Sequence, residues 1–174
     1  PRFGLDTTVH AGYMFGSLLG RESLLMAGIR ATVSRGFFSL RPTFGVDVPI
    51  SFNRATWLAG IGLLPVNVHL GVEVFNLYLG RLQIAPSVVA GVGTIIPLEE
   101  NAVEEIKYFS HVGGKAVLTT SLLLGRDFKL FVDAGFTYMY GLFSSLLGSN
   151  TIWGIPYFDS YGGPVLGGGL TYKF

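Results

Sequence analysis

The stretch FKLFVDAGFTYMY, residues 128–140, decides the fold of this chain. Its even positions are all apolar or aromatic, whereas its odd positions include Lys129, Asp133 and Thr137. Successive side chains of a β-strand point to opposite faces, so a period of two predicts a strand with one apolar and one polar face. Such a strand separates an apolar environment from a polar one.

Seven further segments alternate in the same way. They are residues 3–15, 25–34, 38–52, 64–74, 82–93, 111–122 and 166–174. Eight such strands predict an all-β fold, an eight-stranded antiparallel up-and-down transmembrane β-barrel that forms a single domain over residues 1–174. The connections at 35–37, 78–81 and 123–127 are shorter than those at 16–24, 53–63, 95–107 and 141–163. We therefore expect short periplasmic turns and longer external loops.

Composition favours a membrane protein and excludes several other classes. The chain is 49% hydrophobic and only 13% charged, whereas soluble domains are roughly 25% charged. A formal net charge of +1 offers no surface for nucleic acid, which is not an expected partner. A spanning helix is rejected because the most apolar window, residues 82–98, contains Pro86 and Pro97. A soluble lipocalin-like calyx would turn the polar faces to water, yet these faces carry mostly Gly, Ser and Thr.

The polar faces carry charged and titratable side chains that we expect to line the barrel interior. These predicted lumen residues are Asp6, His10, Arg30, Arg41, Asp47, His69, Glu73, Lys115, Lys129, Asp133 and Lys173. Side chains can just fill an eight-stranded barrel, and buried charges need partners. The expected pairs are Arg41 with Glu73, Lys115 with Asp133, Lys173 with Asp6, and Asp47 with His69. The prediction is a lumen plugged by ion pairs, with a narrow, gated conduit as the alternative.

Two of the predicted external loops carry many large apolar side chains. The candidates for an interaction surface are Trp57, Leu58, Phe143, Trp153, Tyr157 and Phe158. Exposed apolar patches of this size mark interfaces, so a hydrophobic ligand or a protein partner at these loops is one hypothesis. The alternative is that the loops fold over the barrel mouth as a cap.

The chain ends in GGLTYKF, with Leu170, Tyr172 and Phe174 alternating on the apolar face. This ending resembles the C-terminal signal by which the barrel-assembly machinery recognises outer-membrane proteins. Together with the eight alternating segments, it makes the whole chain resemble the small outer-membrane barrels of the OmpA transmembrane domain, OmpX and OmpW type. The resemblance implies a bacterial outer membrane, contact with outer-membrane lipid, and export with the signal peptide removed, since the chain begins at Pro1.

We expect no enzyme activity, no cofactor and no metal. His10, His69 and His111 share the polar faces but lie at different distances along their strands, whereas a metal site needs its ligands together. No motif marks a nucleophile beside a histidine and an acid. We therefore predict a surface interaction or structural protein with a plugged lumen. The resemblance to OmpW leaves a second hypothesis open, a passive channel or uptake route for small hydrophobic solutes.

Overall fold

The computed structural model describes residues 4–19, 23–33, 40–50, 63–97, 109–142 and 160–174. Within these ranges the chain forms nine strands and one short 3-10 helix, Gly16–Leu19. The strands are β1 (Leu5–Met14), β2 (Leu24–Val33), β3 (Arg41–Ile50), β4 (Leu63–Glu73), β5 (Leu77–Leu79), β6 (Leu82–Pro97), β7 (Phe109–Leu123), β8 (Phe128–Gly141) and β9 (Tyr161–Lys173). No helix in the described ranges is long and apolar enough to cross a membrane.

The nine strands close into a ring of eight antiparallel barrel strands, each of which we call a stave. β4 and β5 pair in succession with β6, so together they form one stave. Each stave pairs with the next along the chain, and the pairing of β1 with β9 closes the ring. The predicted eight-stranded, all-β, up-and-down barrel is therefore confirmed.

Tight connections mark one end of the barrel. Leu79 pairs with Leu82 across a two-residue turn, and Gly80 has a φ of 63° there, a left-handed conformation that suits a residue without a Cβ. Residues 124–127 join β7 to β8 at the same end. We call this the turn end of the barrel and the opposite one the far end.

Burial alternates along the staves, with the polar side chains inside. On β3, Arg41, Thr43 and Asp47 are buried, whereas Phe44 is exposed. On β1, Asp6 is buried and Val9 is 62% exposed. Soluble proteins bury apolar side chains and expose charged ones. This barrel buries charged and polar side chains together with some apolar ones, and its outer face exposes large apolar side chains, as expected for a surface that contacts lipid.

A β-bulge separates β4 from β5. Glu73 pairs with Ser87 and Leu77 pairs with Ile84, so three residues, 74–76, face two, 85 and 86. The backbone N–H of Val74 donates to the carbonyl of Pro86 at 2.8 Å, but Pro86 has no N–H to return a second bond. The extra residue reverses the parity of the stave beyond the bulge. Phe75 is therefore exposed, and the Asn76 side chain reaches partners in the interior.

Several strand bounds differ from the sequence prediction. β6 continues to Pro97 and β9 begins at Tyr161, so the predicted connections at 95–107 and 141–163 contain strand residues. The fourth stave also continues past the bulge as β5. Pro97 in the first segment, and Gly162, Gly163 and Pro164 in the second, interrupt the apolar alternation, and the bulge shifts the parity before β5. A search for a period of two therefore missed these strand residues. The connection at 35–37 lies outside the described residues.

We expect an arginine on the outer surface to destabilise the barrel strongly. Val9 lies in the middle of β1 and faces outward, so Val9→Arg places a charge near mid-bilayer and costs about 2–4 kcal/mol. Denaturant titration of the protein folded into phospholipid vesicles measures this cost. Leu124→Arg is the control, because the exposed Leu124 lies in a turn, where the same charge costs about 0–1 kcal/mol. Equal costs at the two positions would contradict a lipid-facing belt.

Candidate functional site: the charged interior

The turn end of the interior is filled by a cluster centred on Arg41. Its guanidinium contacts Oδ2 of Asp6 at 2.9 Å through one terminal nitrogen and Oε2 of Glu73 at 3.1 Å through the other. Nζ of Lys129 also donates to Oδ2 of Asp6, at 2.9 Å. Asn76 accepts a hydrogen bond from Arg41 at 3.2 Å. We call these five residues the turn-end cluster.

The turn-end cluster ties together staves that are not adjacent. Lys129 lies on β8, Asp6 on β1 and Arg41 on β3, so each contact skips one stave. The amide of Gln83, on β6, also donates to Asn76. The chain of contacts therefore crosses the interior from β8 to β6 by way of β1 and β3 at the turn end of the barrel.

A second group of contacts lies farther from the turn end than the turn-end cluster and centres on Asp133. Oδ2 of Asp133, on β8, is 3.7 Å from the guanidinium of Arg30, on β2. The hydroxyl of Thr119 donates to the other carboxylate oxygen at 2.5 Å. The Arg30 guanidinium also lies 5.5 Å from the centre of the Phe131 ring, a cation–π distance. β2 and β8 are three staves apart in the ring, so this contact spans the interior.

A third group of contacts, the far-end cluster, surrounds Asp47, which is 1% exposed. Its carboxylate contacts Nε2 of His69 at 2.8 Å and Nζ of Lys115 at 3.4 Å. Nδ2 of Asn67 donates to Asp47 at 3.1 Å and to the hydroxyl of Tyr161 at 2.6 Å. Asn67 on β4 and Tyr161 on β9 are four staves apart in either direction, the largest separation in a ring of eight. This hydrogen bond therefore crosses the full width of the barrel.

Among the residues that the structure describes, the charges inside the barrel balance. The interior cations are Arg30, Arg41, Lys115 and Lys129, and the interior anions are Asp6, Asp47, Glu73 and Asp133. Each cation lies within 4 Å of at least one anion, which offsets the desolvation of both. Lys173 was expected in this set. It is the register partner of Asp6, but its side chain is exposed at the end of β9.

The predicted pairs agree with the structure in two cases and differ in a third. Arg41 contacts Glu73 and Asp47 contacts His69, as the expected register requires. The pair of Lys115 with Asp133 was wrong. Asp133 is the register partner of Thr119, which is four residues from Lys115 and therefore about 13 Å along the strand. Lys115 contacts Asp47 instead.

His10 occupies a different environment from the ion pairs. Both ring nitrogens are buried without a hydrogen-bond partner among the described residues. The ring borders a cavity of about 30 Å³ that is also lined by Lys115, Asp133 and Thr137. A cavity of this size has room for one or two water molecules, and these side chains offer them partners. The described residues contain no group of three or more side chains arranged to hold a metal.

Two interior residues escaped the sequence analysis. Asn76 follows the bulge, so a fixed period of two places it on the outer face; Pro86 on the neighbouring strand was the available signal. Tyr161 was assigned to a long connection, although Tyr161, Gly163 and Val165 continue the inward parity of β9. The predicted loop surface of Trp57, Leu58, Phe143, Trp153, Tyr157 and Phe158 lies outside the described residues.

The last strand carries the predicted assembly signal on its outer face. Leu170, Tyr172 and Phe174 are all exposed, and the Tyr172 ring lies 4.7 Å from the Phe174 ring and 4.9 Å from the Phe128 ring. The three side chains therefore form an outward apolar row at the turn end, within reach of another protein or of lipid.

Comparison with known proteins supports the fold. No protein-family model matches the chain, and no curated protein matches its sequence. Among solved structures, it is similar to Neisserial surface protein A, with a TM-score of 0.61 and 13% identity over 99% of this chain and 97% of that one. A weaker match, with a TM-score of 0.45 and 16% identity over 98% and 99% of the two chains, is a major outer membrane protein from Thermus thermophilus. The chain has the fold of a small outer-membrane β-barrel.

Removing the Arg41 guanidinium should destabilise the barrel. Arg41→Gln leaves Asp6 and Glu73 buried with less positive charge nearby, and breaking a buried ion pair in this way costs about 3–5 kcal/mol. Denaturant unfolding in vesicles gives the value. Arg126→Gln is the control, because Arg126 is exposed in a turn and its loss should cost less than about 0.5 kcal/mol. A cost below about 1 kcal/mol for Arg41→Gln would show that the cluster contributes little to stability.

A methyl group at Gly91 should displace His69 from Asp47. A Cβ on Gly91 would overlap Nδ1 of His69 and lie 2.8 Å from its Cε1, so the ring must move. We expect Gly91→Ala to cost about 1–3 kcal/mol and to remove the downfield proton resonance of the His69–Asp47 hydrogen bond. Gly125→Ala is the control, because nothing lies within 4 Å of a Cβ there. Retention of that resonance in Gly91→Ala would refute the steric argument.

Proposed function

We propose that this protein is an integral barrel of the bacterial outer membrane whose interior is plugged, and that it acts as a structural or surface interaction protein without catalysis. The observation that carries the proposal is the set of contacts across the interior. They join Arg41 to Asp6, Arg30 to Asp133, and Asn67 to Tyr161, and each joins staves that are not adjacent.

The contacts leave little room for a solute. An eight-stave barrel has an interior that side chains fill, and the charges here are opposed rather than arranged as a ring of one sign. A conduit that selects ions needs charges of one sign or a row of carbonyl groups along an open path. Balanced pairs instead support a packed core whose role is to hold the wall together.

The outer surface supports the membrane placement. Outward side chains along β1, β2, β8 and β9 are large and apolar, among them Val9, Ile29, Val132 and Leu166, each more than half exposed. In water, such a belt would be an aggregation hazard. In a bilayer it is the expected surface, because lipid requires backbone groups to be paired and the closed ring pairs them along most of the length of the described strands.

The buried histidine–aspartate pair supports a structural role more than a catalytic one. His69 and Asp47 are both almost completely buried, and Asp47 also contacts Lys115 and Asn67. A general base must reach a proton on its substrate. Here the carboxylate is fully engaged with its neighbours, so the pair serves the packing of the interior. Partners at the external loops and recognition of Phe174 by the assembly machinery remain expectations of the proposal.

Planar-bilayer recording tests the plug. We expect the purified protein to insert without discrete channel openings. Arg30→Ala combined with Arg41→Ala removes two of the contacts across the interior and should produce measurable conductance. Heat-modifiable migration on gels confirms that each variant is folded before recording.

Two results would contradict the proposal. Stable openings of the unaltered protein would show that the interior conducts, in favour of the channel hypothesis. A silent double variant that is folded and inserted would show that these two side chains are not what blocks the path. Conductance that appears only in the double variant supports the plug.

A further inference from the structure

The middle of the interior contains space because glycine occupies several of its inward positions. Gly12 on β1, Gly28 on β2, and Gly167 and Gly169 on β9 all have the inward parity of their strands. His10 pairs with Gly28 on one side and with Gly169 on the other. Neither neighbouring stave therefore offers the imidazole ring a side chain at the register position of His10.

The His10 ring has two buried nitrogens that need partners. Neither Nδ1 nor Nε2 has a hydrogen-bond partner among the described residues. A neutral imidazole carries one donor and one acceptor. Buried polar groups in proteins are almost always hydrogen-bonded, either to protein or to ordered water. We therefore expect the partners of His10 to come from something other than the described side chains.

A cavity of about 30 Å³ lies against this ring. His10 shares its lining with the polar residues Lys115, Asp133 and Thr137. Lys115 and Thr137 are register partners on β7 and β8, and Asp133 precedes Thr137 by four residues on β8. Polar side chains from three staves therefore meet at one small space.

The size and chemistry of the cavity select water as its occupant. A space of about 30 Å³ holds one or two water molecules and is too small for an organic solute. Cavities that stay empty are apolar, whereas this lining carries ammonium, carboxylate, hydroxyl and imidazole groups. The cations Lys115 and Arg30 are paired with Asp47 and Asp133, so neither is left to bind an inorganic anion.

The polar groups on the lining retain the capacity to bind water. The Lys115 ammonium has three donors, and its contact with Asp47 at 3.4 Å uses one of them. Each carboxylate oxygen of Asp133 makes one contact in the structure and has a second lone pair. A water molecule in the cavity can therefore accept from Lys115 and donate to Asp133 or to a nitrogen of His10.

We propose that this cavity is an internal water site in which one or two resident water molecules, held by His10, link Lys115 to Asp133. Lys115 and Asp133 lie about 13 Å apart along their strands, yet both line the cavity. The water link joins the contacts around Asp133 to the far-end cluster, so that the two groups form one hydrogen-bonded unit. The inference rests on the plugged interior proposed above, because water in an open lumen would not be held at one place.

Nuclear Overhauser effects between water and the methionine methyl groups test the site. The chain has three methionines, and all of them are buried. Met26 lines the cavity, whereas Met14 and Met139 are not part of its lining. The protein is deuterated except for 13C-labelled methionine methyl groups and placed in nanodiscs of deuterated lipid. We expect a water cross-peak at the Met26 methyl group and none at the other two.

Two substitutions separate the nitrogens of His10 from its bulk. His10→Leu removes both nitrogens and leaves an apolar side chain, so we expect the Met26 cross-peak to be lost. His10→Gln is the matched control, because its amide keeps a donor and an acceptor and should retain the cross-peak. Heat-modifiable migration on gels confirms that each variant is folded.

The outcomes separate the water site from the plug. A cross-peak at Met26 alone that is lost in His10→Leu and kept in His10→Gln supports the site. Its absence in the unaltered protein, its survival in folded His10→Leu, or its loss in folded His10→Gln overturns the site, while the plug stands or falls on the bilayer recording. Cross-peaks of equal strength at all three methionines would show a water-filled lumen and overturn the site and the plug together.

Discussion

A ring of eight staves encloses too little space for water to solvate charged side chains one by one, so the charges inside must solvate each other. Four cations and four anions meet this constraint by pairing across the interior. The alternation of polar and apolar residues along each stave follows from this constraint, because each charged side chain needs an inward position. The exclusion of charge from the outer face follows as well, since an unpaired charge there would face lipid.

The same constraint explains where small residues lie. A large polar side chain fills the narrow interior only if the neighbouring stave yields space. Gly91 leaves room for the His69 ring, and Gly93 leaves room for Asn67 and His111, where an added Cβ would lie 2.8 Å from Oδ1 of Asn67. Glycine in a strand interior is usually unfavourable. In this barrel it allows the histidine to reach Asp47, so the glycines belong to the polar core as much as the charged residues do.

The sequence predicts the wall of this barrel better than its interior. A period of two depends only on the local alternation of side chains, so all eight staves and the inward parity of residues such as Arg41 and Asp47 could be found. Contacts between distant staves depend on the shift in strand register that accumulates around the whole ring, and no local sequence pattern specifies that shift. Lys115 was therefore assigned to Asp133 rather than Asp47, and the contact between Asn67 and Tyr161 was not foreseen. Asn76 was lost because a bulge changes parity without changing composition.

Two departures from a regular barrel lie on the stave formed by β4 and β5, and proline lies at each of them. A third, a register shift between β6 and β7, lies between Gly93 and Thr94. At the turn end, Pro86 cannot return a hydrogen bond to Val74, and the resulting bulge turns Asn76 inward to join Arg41 and Gln83. At the far end, the pairing of β3 with β4 stops at Asp47 and Asn67, and the same register would next set Pro49 opposite Pro65, neither of which has an N–H to donate. A missing donor therefore has opposite consequences at the two ends. Where the stave gains a residue, Asn76 adds a polar contact to the turn-end cluster. Where continued register would set Pro49 opposite Pro65, the described parts of β3 and β4 are not paired with each other.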